Sequence, residues 1–303
     1  MIKRIIQYMI PKAPCKWWSQ RILCALLALL LTTDGAQGLA KKPPEKESFK
    51  ERLAKAEAMF QERCKTAGEK IHRTVENVEG IFLLKLRPGR INYGDQFAMT
   101  DPYGDDLGGD GYIGMFVRGS YQANTRGPSA PGSPPRVGYG YVEVIDLKDG
   151  KRYRYTGARK VVGKKDASSY NNQVELKRNP NYDLNIYAFV LDKTPASGAP
   201  PRYGVTYDDI STHEEREYWI AGSSLRVIDL KNNDVIAERI GYMMDRRLGD
   251  RSGGRSPWLF AADHACPGFH RNLSIPLVGP AFAAQGHQTQ DFVEKVLKPK
   301  LEN

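Results

Sequence analysis

Three stretches of this 303-residue chain carry side chains that could do chemistry, and the acidic, glycine-rich stretch Asp105–Gly114 comes nearest to a calcium loop. Laid on an EF-hand loop, Asp106 takes the first position and Asp110 the fifth. The third position falls on Gly108 and the twelfth on Val117, so two of the required oxygen ligands are missing. The match to an EF-hand is therefore incomplete.

Two interpretations of this acidic stretch stay open. The first is a turn that leads into a strand over Tyr112–Gly119, because an apolar run follows the glycines. The second is a looser calcium site, in which four aspartates would supply the oxygens: Asp101, Asp105, Asp106 and Asp110. We expect the first, since the stretch also lacks the helix that must precede an EF-hand loop.

The second stretch, Asp263–His270, combines two histidines with a cysteine. Zinc binds these residue types, and the candidate ligands would be Asp263, His264, Cys266 and His270. Their spacing is compressed for one ion, so we predict no metal and no cofactor. His264 and His270 could instead act as general acid and base in a cell-envelope enzyme of hydrolase type. Neither a G-x-S-x-G turn nor an H-E-x-x-H pair occurs in the chain, and we predict no catalytic residue.

The third stretch, Asp245–Trp258, is rich in arginine, glycine and serine. Guanidinium groups recognise carboxylates and phosphates through paired hydrogen bonds, and an adjacent indole adds a contact surface. The alternative is a solvated loop whose arginines pair with local acids such as Asp245 and Asp250. The predicted partner-binding residues are Arg246, Arg247, Arg251, Arg255 and Trp258.

The beginning of the chain has the pattern of a secretory signal peptide. Basic residues without an acid come first, the apolar run Ile22–Leu31 follows, and small residues then offer cleavage after Gly38 or Ala40. Spanning a bilayer takes about 20 apolar residues, so this run is too short for a membrane anchor. We predict a signal peptide over residues 1–38, a periplasmic location and no transmembrane anchor in the mature protein.

Export changes how cysteines and charges are interpreted. Cys64 and Cys266 remain in the mature chain, and an oxidising compartment favours a disulfide between them. A reactive Cys266 beside His264 is the alternative. The mature chain keeps 40 lysines and arginines against 34 acids, which favours acidic partners. Because the protein is exported, we expect no nucleic-acid partner.

The remaining residues predict a polar tether over 39–48 and one domain over 49–303. An amphipathic helix begins at Phe49 and ends near Gly68, with Cys64 on its apolar face. Alternating strands then predict two hairpins, which turn at Asp149-Gly150 and at Asn232-Asn233.

Other segments complete a mainly antiparallel sheet. Leu184–Asp192 is apolar on both faces, as a central strand would be, and a short strand is predicted within Gly80–Pro88. The Pro/Gly-rich segments 123–136 and 194–202 are predicted to be long surface loops. A short C-terminal helix is predicted over residues 289–299. The fold class is α+β, in which an N-terminal amphipathic helix precedes the sheet.

The segment from Tyr203 to Asp245, together with Ser256–Phe269, resembles a group of exported proteobacterial proteins of unknown function. The resemblance extends back through Arg73–Pro88, so it covers most of the mature chain. The same segments are similar to periplasmic immunity proteins that neutralise lipase effectors of type VI secretion systems. Such a protein would bind a toxin without chemistry of its own, and the resemblance brings no site residues with it.

These observations predict a periplasmic binding or inhibitory protein that acts through a protein–protein interface. A secreted toxin or effector is the expected partner. The first alternative is the cell-envelope enzyme that would use His264 and His270. The second is a structural or glycan-binding envelope protein, because many of the sixteen tyrosines lie on alternating strands.

Overall fold

A computed structural model of the chain describes residues 47–88, 95–97, 108–120, 137–269 and 280–301. The helices are α1 (Phe49–Cys64), α2 (Asp110–Gly114), α3 (Tyr170–Arg178), α4 (His213–Glu217), α5 (Pro257–Ala261) and α6 (Pro280–Val296). The strands are β1 (Gly68–Ile71), β2 (Val75–Val78), β3 (Gly80–Leu83), β4 (Tyr141–Ile145), β5 (Arg152–Lys164), β6 (Asn185–Pro195), β7 (Tyr203–Asp209), β8 (Ile220–Asp229), β9 (Asp234–Met244), β10 (Ala265–Cys266) and β11 (Leu297–Pro299).

One sheet of nine strands organises the described residues. Its strand order is β1-β9-β8-β7-β3-β4-β5-β6, and β10 pairs with β9 outside this path. β3 lies parallel to β4 and β7, while the other described pairs of this sheet are antiparallel. β2 and β11 form a separate parallel pair. The predicted α+β class with a mainly antiparallel sheet is confirmed.

The predicted amphipathic helix is confirmed as α1, although it is one turn shorter than expected. Ser48 begins it with a capping box, since its hydroxyl accepts from the Glu51 N–H at 3.3 Å and its own N–H donates to the Glu51 carboxylate at 2.8 Å. The helix ends at Cys64, and Gly68, where the helix was expected to end, already starts β1.

Both predicted hairpins are confirmed, and their turns explain why the sequence revealed them. β4 and β5 connect through Gly150, whose φ is 68°. β8 and β9 connect through Asn233, whose φ is 61°. Glycine and asparagine are the residues that adopt such left-handed backbone most readily.

The strand predicted over Tyr112–Gly119 is wrong. The structure places α2 there, followed by a turn, and buries Tyr112, Ile113 and Phe116. These residues are one and three positions apart, so a single face of a helix can turn all of them towards the sheet. In a strand, successive side chains would point to opposite faces, and some of these residues would face solvent. Asp110 opens this helix and is exposed.

The central position predicted for Leu184–Asp192 is also wrong. The corresponding strand, β6, is the last strand of the sheet order, and none of its residues is buried. The predicted C-terminal helix is present as α6, but Leu297–Pro299 form β11 beside β2 instead of continuing the helix.

Helices cover both faces of the sheet. Phe116, after α2, and Phe292, on α6, belong to the main core against β3, β4, β7 and β8. Phe60 of α1 packs with Met244 of β9, whereas Trp258 of α5 packs with the preceding Met243. Successive strand residues point to opposite faces, so α1 and α5 lie on opposite sides of β9. No helix among the described residues combines the length and apolar character needed to cross a bilayer.

Candidate partner-binding surface

The loop after β9, which contains the predicted arginines, is built around the carboxylate of Asp245. Asp245 is fully buried and accepts from the Gly249 N–H at 2.8 Å and the Arg247 N–H at 3.2 Å. Arg255 binds the same carboxylate with two guanidinium nitrogens. A buried ion pair is strongly destabilised when one partner is removed. Arg255 is therefore part of the internal structure of this loop.

The other predicted arginines lie nearer the surface. The Arg246 Nε donates to Glu57 of α1 at 2.7 Å, and Arg247 pairs with Asp250. Arg251 is exposed. The alternative that local acids pair with the arginines is thus confirmed for Asp245 and Asp250. Exposed ion pairs contribute only about 0–1 kcal/mol, so Arg246 and Arg247 can exchange these partners for groups of a ligand.

Trp258 does not lie on the same surface as these arginines. Its side chain is 1% exposed and packs in a cluster with Ala221, Met243 and Ala261. The Arg216 guanidinium lies 5.3 Å from the centre of its indole ring. The structure therefore divides the five predicted residues: Arg246, Arg247 and Arg251 face solvent, whereas Arg255 and Trp258 support the loop from inside.

The predicted disulfide between Cys64 and Cys266 is confirmed. It joins the end of α1 to β10, and it removes the Cys266 thiolate from the compressed zinc set. His270 lies outside the described residues. Within the parts of the chain that the structure describes, no group of three or more His, Cys, Asp or Glu could hold a metal ion. Asp101, Asp105 and Asp106 also lie outside these parts, so the looser calcium site stays an expectation.

His264 is oriented by two contacts. Its Nε2 lies 3.2 Å from the Glu57 Oε2, and its ring lies 4.6 Å from the ring of Phe60. It lines a groove of about 600 Å³ together with Asp263, Ser252 and surface arginines of the loop. A carboxylate that holds an imidazole is a feature of acid–base sites, although the same contact also fixes α1 to the body of the protein.

The least buried part of the structure is an arm formed by residues 157–191. It consists of the outer halves of β5 and β6 with α3 between them. No residue between Thr156 and Pro200 is buried. The two strands pair continuously from Tyr153–Pro195 to Lys164–Asn185, with one bulge near Val162. The arm is therefore a folded extension of the sheet in which no residue is fully buried.

One face of the arm carries an apolar stripe, which we define as Val161, Tyr187, Phe189 and Leu191. Phe189 and Leu191 pack against the main core, and Val161 lies directly opposite Tyr187 further out. These two residues are about half exposed. The stripe therefore runs from the core onto the surface without interruption. Other apolar residues of the arm are also exposed: Val162, Tyr170 and Ile186.

The arm is basic. It contains six lysines and arginines against three acids, Asp166, Glu175 and Asp183. The Arg159 guanidinium lies 4.5 Å from the centre of the Tyr187 ring, at the exposed end of the stripe. The six basic residues are Arg159, Lys160, Lys164, Lys165, Lys177 and Arg178.

Sequence reasoning missed this arm because it attended to β6 alone. A strand that is apolar on both faces is typical of a buried central strand. The available signal was in its partner, where Arg159, Lys160 and Lys164 place charges on both faces of β5. A strand paired with such a neighbour cannot be buried on both sides, since lysine and arginine are almost never fully buried unless paired.

Comparisons with protein-family models, with curated proteins and with solved structures gave no match to this chain. The resemblance to exported proteobacterial proteins and to immunity proteins therefore stays a prediction. The fold and the surface together define an α+β protein with a basic, apolar arm at one edge of its sheet.

Proposed function

We propose that this protein is exported to the periplasm and acts there as a binding or inhibitory protein, with the arm as its main contact surface. One observation carries the proposal: an apolar stripe leaves the core and continues onto a folded arm that contains no buried residue. Export is proposed from the signal-peptide pattern of residues 1–38. The disulfide between Cys64 and Cys266 is consistent with the oxidising periplasm, where such bonds form and persist.

Physical reasoning favours an occupied arm. An isolated two-stranded hairpin is marginally stable in water, and exposed apolar groups add no stability to it. Complete burial of a valine or isoleucine side chain contributes about 1.5–3 kcal/mol relative to exposure. A partner that covered Val161 and Tyr187 of the stripe, together with Val162 and Ile186, would thus bury an apolar centre of an interface. The lysines and arginines around these residues would form its charged rim.

The proposed biological role is neutralisation of a secreted toxin. A bound protein can block an active site by covering it, which requires no catalytic group in the inhibitor. The resemblance of Tyr203–Asp245 to immunity proteins names lipase effectors as the toxin class to test. If no lipase-type gene neighbours the gene of this protein in the genomes that carry it, the immunity role is wrong.

Affinity capture from periplasmic extract tests the binding role. The arm variant combines Val161→Glu with Tyr187→Ser, both at exposed positions. The matched control is Leu147→Glu in the β4–β5 turn, which changes an 85% exposed leucine. We expect a partner retained by the wild type and by the control, and lost from the arm variant by about tenfold or more. Equal retention by the arm variant would remove the arm from the function.

A second candidate function follows from the contact between His264 and Glu57 in the groove beside Arg246. A carboxylate-oriented imidazole could move a proton in a cell-envelope hydrolase. His264→Ala tests this role, with Leu147→Glu again as the control. If His264→Ala leaves the biological activity of the protein unchanged, the enzyme hypothesis is excluded and the arm remains as the site.

A further inference from the structure

The outer edge of β6 offers backbone groups to a partner. Backbone bonds run from the Ala196 N–H to the Arg152 carbonyl and from the Lys165 N–H to the Leu184 carbonyl, on either side of the paired region. In an antiparallel pair, such bonded residues alternate with residues whose N–H and C=O point away from the neighbouring strand. With the register of β5 and β6, the outward-pointing residues are Tyr187, Phe189, Leu191 and Lys193.

Among the described residues, no further strand pairs with this outer edge, since the sheet order ends at β6. Proteins usually protect such an edge with charged side chains, proline or a bulge. The segment from Asn185 to Leu191 has no charge and no proline, and the bulge of this strand pair lies in β5. The edge therefore keeps the features that favour the addition of another strand.

We propose that the partner adds an extended, acidic segment as a new strand beside β6. This inference rests on the proposed binding function and states how the arm is used. Main-chain hydrogen bonds to the outward groups would supply affinity, as in other strand-addition complexes. Side chains of the added strand would contact the apolar stripe on one face and Ile186 on the other. The basic residues of β5 would favour carboxylates at its flanks.

Charge decides between this occupant and a second copy of the chain. Lys160 pairs with Asp192 of β6, with its Nζ 2.6 Å from the carboxylate. Pairing β6 with β6 would still bring two basic arms together, with Arg159 and Lys164 of each copy near the contact, and like charges across an interface oppose it. An acidic segment meets the same residues with attraction. An anionic lipid surface would satisfy the charges, but its headgroups do not present the regular alternation of donors and acceptors with which a strand pairs to an edge.

Peptide selection with the whole protein tests the chemistry of the occupant. The probe is a displayed library of random peptides of about 12 residues, roughly twice the length of an average strand. We expect enriched peptides to combine Asp and Glu with alternating apolar residues. The variant Arg159→Glu with Lys164→Glu should instead enrich basic peptides. No enrichment, or enrichment of neutral or basic peptides by the wild type, would overturn the proposal.

Two substitutions at Tyr187 test the strand geometry. Tyr187→Ala and Tyr187→Pro both remove the ring, but only proline removes the outward N–H, and the edge of a sheet tolerates proline. We expect proline to weaken binding of a selected peptide by about a further tenfold, the effect of one backbone hydrogen bond at its upper range. Equal affinities of the two variants would show that the contact uses side chains alone.

Amide hydrogen exchange gives the most specific result. Without ligand, the outward amides of Tyr187, Phe189 and Leu191 should exchange faster than those of Ala188 and Val190, which point towards β5. Binding of a selected peptide should slow the exchange of the outward amides and remove the alternation.

Unchanged exchange of the outward amides in a complex that still requires the arm would overturn strand addition and leave the proposed function standing. Binding unaffected by the arm variant would overturn both. Dimerisation of the wild type that Tyr187→Pro abolishes would assign the edge to a second copy and overturn the acidic partner.

Discussion

At the scale of single residues, Asp229 at the end of β8 connects three parts of the chain. Its carboxylate is fully buried and accepts from Arg202 at 2.9 and 2.7 Å and from Arg73 at 2.6 Å. It also accepts from the Lys231 N–H at 3.2 Å, which fixes the turn into β9. The hydrogen bond with the Arg202 guanidinium, supported by the Lys231 N–H and Arg73, holds the pKa of the Asp229 carboxyl well below its usual range.

Asp229→Asn should lower the free energy of unfolding by about 2 kcal/mol at pH 7, the range for a hydrogen bond to a charged group. Because the pKa of Asp229 is lower in the folded than in the unfolded protein, its charged form stabilises the fold fully above the unfolded pKa of about 4. This stabilisation is lost progressively as the pH falls from there towards the folded pKa. The difference between wild type and variant should therefore shrink from pH 7 to pH 3. Urea unfolding at the two pH values measures it. A difference that grows at pH 3 would contradict this assignment.

Gly249 lies in the loop after β9, at a position where the backbone conformation and a close neighbour both require glycine. Its φ is 86°, and an added Cβ would lie 2.1 Å from the Trp219 ring. Gly249→Ala should thus cost about 3 kcal/mol, since the left-handed backbone alone costs about 1–2 kcal/mol. Gly198→Ala is the control, because Gly198 has φ 72° and open space around it. Urea unfolding should give a cost nearer 1 kcal/mol for the control, and equal costs would exclude the Trp219 contact as the cause.

At the scale of elements, the disulfide fixes α1 to β10 and closes a sequence separation of 202 residues. The double variant Cys64→Ser with Cys266→Ser should still fold, because Ala56 and Phe60 remain packed on the sheet. Its free energy of unfolding should fall by about 2–5 kcal/mol, chiefly through the larger freedom of the unfolded chain. Reductant should lower the stability of the wild type to the same level and leave the double variant unchanged. A wild type insensitive to reductant would contradict the prediction.

The elements that were predicted correctly from the sequence, α1 and the two hairpins, are those determined by residues close together in the chain. The apolar spacing along α1 and the turn residues Gly150 and Asn233 act within a few positions, so α1 and both hairpins could be predicted from sequence. The order of the strands depends on contacts between distant segments, and no local pattern places β6 at the edge. The short helix α2 has apolar residues at consecutive positions, which fit a buried strand equally well until the sheet beneath it is known.

The candidate site shows the same limit. Composition predicted a concentration of arginines between Asp245 and Trp258, and the alternative of pairing with local acids was also predictable from their proximity in the chain. Burial of Trp258 was not, because it depends on packing against Met243 of another element. The charges on both faces of β5 indicated that its neighbouring strand is exposed, but defining the arm required the sheet order and the burial of each residue.

At the scale of the whole molecule, the buried core and the proposed binding surface are separated in space. The core lies where helices cover the sheet between β4 and β9, and its residues end at Tyr155 along β5. Beyond Tyr155, β5 continues to Lys164 without a buried residue. The arm therefore depends on the core, because Phe189 and Leu191 anchor it there. No residue of the main core lies in the outer part of the arm, so we expect the core to form without it.

Removal of residues 161–187, with Asn-Gly joined between Lys160 and Ala188, tests this separation. These two residues are opposite each other in the register, and a two-residue turn closes such a pair. Since no removed residue is buried, the midpoint of thermal unfolding should stay within about 4 °C of the wild type, the shift that about 1 kcal/mol produces in a domain of this size. Calorimetry measures the midpoint, and affinity capture should show that the partner is lost.

The control is Phe292→Ala, which removes a buried side chain of α6. This substitution should lower the free energy of unfolding by about 3–5 kcal/mol. A shortened chain that fails to fold while the wild type folds would show that the arm contributes to the stability of the core.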